Sequence, residues 1–316
     1  MNDFFAVFLP FSIEIERIFL EEKLLNLRSK IMNELLGQVF TGLIIDENET
    51  MYWVQKNGVT FRLLKEEGVT HEIGESIEGF GYVNQSKDAI FTTTVPRVRI
   101  GHYAFGEVTD VRRDLGVFVN IGLPDKDMVV SLDEMPSMKE LWPKKGDRLM
   151  ISMRVDEKDR MWGVLADEAI FHSLSRAGNA EMQNENKKGT IYRLKVIGSY
   201  LITEDFYIGF IHPSERYQEP RLGEVVEARV IGARPDGVLN MSLKPRSYEM
   251  INDDAAMILT MLQRNTDHTL PYWDKSAPEE IKDAFGISKG QFKRAIGHLL
   301  KEKLIEQSAG QIRLKG

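Results

Sequence analysis

The chain has 316 residues, 42% of them hydrophobic and 28% charged, the balance of an ordinary soluble globular protein with room for more than one module. It contains no cysteine, which excludes disulfides, iron–sulfur clusters, zinc ribbons and thiol nucleophiles. With 41 basic and 48 acidic residues the formal charge is −7, which excludes a uniformly basic nucleic-acid coat but leaves room for a local basic surface.

Residues 1–31 read as an extension. No apolar run reaches the roughly 18–20 residues that span a bilayer, and Met1 to Phe11 carries Asp3 where a leader peptide would be basic. Ile15, Ile18, Phe19, Leu25 and Ile31 suit one face of a peripheral helix; a membrane-surface anchor is disfavoured because Glu21 and Glu22 dilute Lys23, Arg28 and Lys30. Met32 is an alternative initiator, which would place residues 1–31 outside the native protein.

A repeat written in glycines follows. Gly37-x4-Gly42 opens one unit and Gly101-x4-Gly106 another, while a third opens at Gly189 with Leu194 in place of the second glycine. Each unit then reaches a Gly-acid pair: Gly74-Glu75, Gly146-Asp147 and Gly223-Glu224. Fourteen positions beyond that glycine come a turn (Asp88, Arg160, Gly237) and a last short strand. Between these marks the runs alternate as half-buried strands, with Leu149, Ile151, Met153 and Val155 on one side and Met150, Ser152 and Arg154 on the other. Turn signals such as Asn57-Gly58 and Pro235-Asp236-Gly237 separate them. About five short strands in ~60–70 residues make a small closed barrel. The expected units are 32–97, 98–170 and 187–248, with 171–186 as a polar connector holding a short helix before Gly178.

Beyond Ile251 the period changes from two to 3.6. Ala255, Ile258, Leu259 and Leu262 share one helical face, and Pro278 to Phe285 suits a second helix opened by Ser276 or Ala277. Ser288 caps a third, with Phe292, Ile296, Leu299 and Leu300 as its buried stripe and Arg294, Gly297, His298 and Lys301 opposite. Leu304 to Glu306 and Gln311 to Leu314, around Gly310, read as a two-stranded wing, so residues 249–316 are expected to form a winged helix.

The third unit contains Gly209-Phe210-Ile211-His212-Pro213-Ser214-Glu215, then Gly223-Glu224-Val225-Val226, then Leu239-Asn240-Met241-Ser242-Leu243-Lys244. This pattern resembles the ribosomal S1-type RNA-binding domain, a five-stranded OB-fold. Leu115-Gly116-Val117-Phe118-Val119 in the second unit resembles a strand of the same domain, with Val130 at the histidine position, and the first unit matches mainly through its glycines. Three such units followed by a winged helix, with Leu43 to Asn48 and Arg234 to Arg246, are similar to the bacterial conserved virulence factor B family from about Met32 to the C-terminus. The resemblance implies a mainly β fold with a small α+β module: three tandem S1-type OB-fold β-barrels and a C-terminal winged-helix domain. It also implies a cytoplasmic RNA-binding regulator of bacterial gene expression.

Single-stranded RNA is held by stacking bases on aromatic side chains while cations follow the phosphates. The resemblance puts that platform on the second and third strands, which nominates Tyr200, Phe206 and His212 in the third unit and Phe118 in the second. Alternation leaves Phe118 and Phe206 as suited to the core as to the surface, whereas His212 in its turn is expected to be exposed. Residues 32–97 hold 5 basic and 10 acidic side chains (−5) and 98–170 hold 11 and 14 (−3). Residues 187–248 hold 10 and 7 (+3), and 287–316 hold 7 and 2 (+5). Phosphate contacts are therefore expected from Arg193, Lys195, Arg229, Arg234, Lys244 and Arg246, and from Lys293, Arg294 and Lys301 of the winged helix.

No P-loop, nucleophile elbow or His-Glu-x-x-His pattern occurs, and the six histidines show no i,i+3 or i,i+4 pair, so no enzyme activity, cofactor or metal site is expected. The expected partner of this monomer is single-stranded RNA, with no membrane. Duplex DNA read by the winged helix, and a scaffold role recruiting the ribosome or a ribonuclease, are the alternatives.

Overall fold

The computed structural model describes residues 23, 27, 29–245 and 247–315. Residues 29–35 form a helical segment, α1. Most of the N-terminal helix expected from the sequence, and with it the anchor and start-site readings, lies outside the described residues, as does Arg246. Two compact units divide the chain, Met1–Leu243 and Lys244–Gly316.

The first unit holds three closed barrels. The first is built from β1 (Val39–Glu47), β2 (Met51–Lys56), β3 (Val59–Leu64), β4 (Ser76–Val83) and β5 (Ala89–Thr92). The second uses β6 (Ala104–Arg112), β7 (Gly116–Asn120), β8 (Met128–Ser131), β9 (Arg148–Val155) and β10 (Met161–Leu165). After α2 (Glu168–Leu174) the third uses β11 (Asn186–Lys195), β12 (Gly198–Thr203), β13 (Ile208–Ile211), β14 (Val225–Ala233) and β15 (Leu239–Ser242). In each, the third strand pairs in parallel with the fifth and the fourth closes back on the first, the five-stranded OB-type arrangement.

The glycine repeat has a common physical cause. Gly74, Gly146 and Gly223 all have positive φ (89°, 90° and 80°), a conformation in which a side chain is strained. Their N–H groups donate to the carbonyls of Ile44, Val108 and Ile191 on the first strand of each barrel. The acid that follows turns its carboxylate back onto the amide three residues earlier: Glu75 onto Glu72 (3.0 Å), Asp147 onto Lys144 (2.7 Å) and Glu224 onto Arg221 (2.8 Å). Asp147 also receives Arg221 at 3.2 Å, tying the second barrel to the third.

The spacing of the opening glycines needs a correction. Gly42, Gly106 and Gly189 are the equivalent residues, because a Cβ on each would lie 2.3–2.5 Å from Val54, Val119 and Leu201 of the neighbouring strand. Each also sits two residues before a β-bulge, at Ile44/Asp46, Val108/Asp110 and Ile191/Arg193. The third pair is therefore Asn184-x4-Gly189. Asn184 adopts φ 72° where Gly37 and Gly101 adopt 74°, a left-handed position that asparagine tolerates better than other side chains. Leu194 has no part in the repeat.

One further expectation changes. β9 does not alternate, since Met150 and Ser152 are buried as well as Leu149, Ile151 and Met153. Its outer face is covered: Met150 packs with Phe171, Ile202 and Phe210 from α2 and the third barrel, and Ser152 donates to the Arg99 carbonyl. The short helix expected before Gly178 is present as α2, and Gly178 N–H donates to the Gly237 carbonyl, with no room for a side chain against Leu239.

The second unit contains α3 (Ser247–Arg264), β16 (Thr269–Leu270), α4 (Pro278–Phe285), α5 (Lys289–Lys301), β17 (Ile305–Ser308) and β18 (Gln311–Leu314). Ala277 precedes α4, its N–H bonded to Glu280, and Gly286 ends it at φ 68°. Ser288 caps α5 in a reciprocal pair with Gln291. The buried stripe of α5 is Phe292, Ala295, Ile296 and Leu299, while Leu300 lies one step round the helix and is 36% exposed. On α3, Ala255, Ile258 and Leu262 are buried but Leu259 is half-buried. The wing gains a third strand, β16, paired to β18.

Candidate nucleic-acid interface

The outer face of the third barrel carries an aromatic group built by strand register. Ile211 and Leu201 point into the barrel, so Tyr200 and Phe210, paired across β12 and β13, point out, with ring centres 5.0 Å apart. Asn240 of β15 lies beside Phe210 and accepts from Arg234 Nε at 2.8 Å, which holds the guanidinium 4.2 Å from the Phe210 ring centre. Lys195 stands 5.3 Å from the Tyr200 ring. Beyond Phe210 the exposed His212 ends the row, its Nδ1 accepting from the Ser214 amide at 3.1 Å to cap a short 3-10 turn. Phe210 is buried beneath its neighbours. The surfaces left to a base are those of Tyr200, His212 and the Arg234 guanidinium.

Register places the same row in the other barrels. Tyr200–Phe210–Asn240 corresponds to Phe118–Val129–Trp162 in the second and to Trp53–Arg62–Ile90 in the first. Each barrel thus sets an aromatic on its second strand. The residue facing that aromatic across the first-strand bulge differs: Asp46 faces Trp53, Asp110 faces Phe118, and Arg193 faces Tyr200. A carboxylate beside the ring repels phosphate and a guanidinium attracts it. The same register moves the histidine position from Val130, buried in β8 like Ile211 in β13, to Ser131, which caps a 3-10 turn as His212 does.

Of the residues nominated from sequence, Tyr200, His212, Arg234, Lys195 and Arg193 come together here. Phe118 is half-buried on the outer face of β7, between the core residues Val117 and Val119. Phe206 does not join the group. Thr203 and Asp205 close a turn before β13 in which Phe206 takes φ 67°, which puts its 41% exposed ring at the end of the strands remote from His212. Arg229, on β14 opposite Ser242, is half-buried, with Nε shielded from solvent and lacking a hydrogen-bond partner. Lys244 opens the second unit. Sequence reasoning passed over Phe210, Tyr192, Asn240, Trp53 and Trp162; for Phe210 the signal was present, since it stands two residues before His212 on the same side of the strand.

α2 borders this face. Asp167 caps it through the Ile170 amide (2.9 Å), and Phe171 stacks on Tyr192, the extra residue of the β11 bulge, at 3.8 Å. Burial, with the Glu168 carboxylate nearby, pushes the Tyr192 hydroxyl above its ordinary pKa. Glu168 pairs with Lys195 at 2.5 Å and Arg193 at 3.4 Å, and the bond from Lys195 holds its carboxyl below the usual range. Two cations nominated for phosphate therefore already face a carboxylate. Glu168→Gln is expected to raise affinity for single-stranded RNA about threefold and steepen its salt dependence, as read by fluorescence anisotropy across a salt series; an unchanged affinity would mean that RNA does not reach Arg193 and Lys195.

In the second unit Lys293, Arg294, Gly297 and Lys301 are exposed on α5, and a Cβ at Gly297 would meet nothing within 4 Å. Arg294 offsets part of the burial that raises the pKa of Asp254 on α3. Among the described residues no group of three or more histidines and carboxylates could hold a metal ion, and no helix is long and apolar enough to cross a membrane.

Comparison with known proteins extends over the same modules. Family models match residues 103–164 ("CvfB first S1-like domain"), 171–245 ("Virulence regulatory factor CvfB, second domain") and 256–314 ("CvfB-like winged helix domain"). An S1 domain model matches residues 36–94. Conserved virulence factor B of Staphylococcus epidermidis is 43% identical over 244 residues, 77% of this chain and 81% of the relative. That of Staphylococcus aureus is 40% identical, over 77% of this chain and 80% of the relative. A crystal structure of a multidomain protein with nucleic acid binding domains from Streptococcus pneumoniae is 50% identical, covers 90% of this chain and 99% of its own, and superposes with a TM-score of 0.66.

Proposed function

Because the chain belongs to the conserved virulence factor B family, we propose that it is a non-catalytic, cytoplasmic RNA-binding protein that regulates bacterial gene expression post-transcriptionally. It holds single-stranded RNA on the third barrel, with the winged helix as a second contact. The observation that carries this reading is the exchange beside the platform: Arg193 faces Tyr200 where Asp46 and Asp110 face Trp53 and Phe118, and Arg234 lies over Phe210. In the third barrel the side chain across the bulge from the ring is a cation, and its segment carries a positive net charge.

The exposed basic side of α5 favours a second reading, duplex DNA in the manner of helix–turn–helix proteins. One competition separates them. Labelled single-stranded RNA bound to the full chain at fixed salt is challenged with unlabelled RNA or duplex DNA. RNA is expected to compete better, and Arg294→Glu with Lys301→Glu to weaken RNA binding and flatten its salt dependence. Stronger competition by duplex DNA would favour a transcriptional regulator, and unchanged RNA affinity in the double variant would remove the winged helix from the site.

A further inference from the structure

A cleft of about 570 Å³ lies between the first and second barrels, in the acidic half of the chain. One wall is the second barrel, with Trp162 on the outer face of β10 and the buried Met161 at its start; the other is the β4–β5 turn of the first barrel, which contributes Lys87, and Met32 of α1 closes one side. Although residues 32–170 are acidic overall, Lys87, Lys126, Lys158 and Arg160 line this cleft against one carboxylate, Asp159. That carboxylate is engaged by Asn33 at 3.1 Å.

The indole is held in place. Trp162 Nε1 donates to Asp156 at 3.1 Å, and the same carboxylate takes Arg160 at 2.7 Å, so the hairpin orients ring and guanidinium together. Arg160 and Arg154 stand 5.4 and 5.9 Å from the ring centre. Lys126 is half-buried and donates to the Val83 carbonyl; Asp125 is nearby but is itself bonded to the Tyr82 hydroxyl at 2.6 Å. Burial outweighs that carboxylate and lowers the Lys126 pKa, and an anion brought to the amine would raise it again.

We propose that this cleft is a second binding site, for a nucleotide unit whose base stacks on Trp162 and whose phosphate meets Lys87, Lys126 and Lys158. An aromatic face supplies sequence-tolerant stacking, and a lysine cluster supplies phosphate attraction. The site extends the RNA reading to the acidic barrels, and its ligand is either a free nucleotide or one residue of an RNA strand.

The test uses the full chain, with adenosine 5′-monophosphate followed by calorimetry and a short single-stranded oligoribonucleotide followed by anisotropy. Lys87→Glu with Lys158→Glu changes two exposed side chains, Trp162→Ala removes the stacking face, and Trp162→Phe restores an aromatic ring. The double variant and Trp162→Ala are each expected to bind about tenfold more weakly, and Trp162→Phe within about threefold of the parent. Loss for both ligands identifies a site open to free nucleotide; loss for the oligoribonucleotide alone identifies one that takes its nucleotide from a strand. Unchanged affinity for both overturns the cleft, and the RNA reading survives that result if Tyr200→Ala still weakens RNA binding. If the parent fails to bind RNA yet binds the monophosphate through these residues, the cleft stands and the RNA reading falls.

Discussion

Tyr200→Ala combined with Arg234→Ala is expected to weaken binding of single-stranded RNA by about a hundredfold, the largest loss of function from any pair on this surface. A stacked base contributes about 1–3 kcal/mol, and tenfold corresponds to about 1.4 kcal/mol. Tyr200 offers its face directly, and Arg234 offers both a planar surface and a charge, fixed over Phe210 by Asn240. The salt dependence should fall by about one counterion, because one phosphate contact is lost. Neither side chain fills the barrel interior, which is closed by Ile191, Leu201, Ile211, Val230 and Met241, so the far-ultraviolet circular dichroism of the variant should match that of the parent. Arg234→Lys should recover only part of the affinity, since an ammonium keeps the charge but not the stacking plane. A loss of less than about threefold in the double variant would remove the platform from the binding site.

Gly116→Ala is expected to cause the largest loss of stability, about 3 kcal/mol or more. Gly116 opens β7 at φ 140°, and a Cβ there would lie 2.0 Å from the Val130 carbonyl oxygen and 2.9 Å from the Leu132 nitrogen. Both are backbone atoms, one in the β7–β8 ladder and the other hydrogen-bonded to the Leu115 carbonyl, and cannot swing aside as a side-chain end does. Gly122→Ala provides the contrast: its φ is 92°, but a Cβ would meet nothing within 4 Å, so only conformational strain of about 1 kcal/mol applies. Thermal unfolding should place the two variants in that order. Equal melting temperatures would show that the second barrel relaxes around β7 without cost.

Barrels and helices were legible because they rest on local rules repeated along the chain. A left-handed turn selects glycine, an acid after it answers a free amide, and Ser288 announces a helix start; each signal needs only a few neighbouring residues. The winged helix was readable to its caps, and the error at Leu300 is a rotation of one residue about the helix axis.

The sites depended on register, which local rules leave open. A strand residue faces in or out according to its partner, and one extra residue at a bulge reverses the assignment. Hence Val130 was matched to His212 although Ser131 holds that place, and Phe206 was placed on a strand although it sits in the turn before it. Burial of both faces of β9 required a second barrel to pack against it, which no period of two can announce.

The −7 charge is therefore a poor guide to any one surface. Residue order alone established a cysteine-free chain of three β units and a winged helix, with its charge divided into acidic and basic segments, because composition, spacing and capping are properties of short stretches. Folding decided which ring lies beside which charge: Arg193 beside Tyr200, Asp110 beside Phe118, Glu168 against Arg193 and Lys195, and Lys126 in one cleft with Trp162. Those neighbours are distant or offset in the chain, and only strand pairing and barrel packing bring them within the few ångströms over which stacking and ion pairing act.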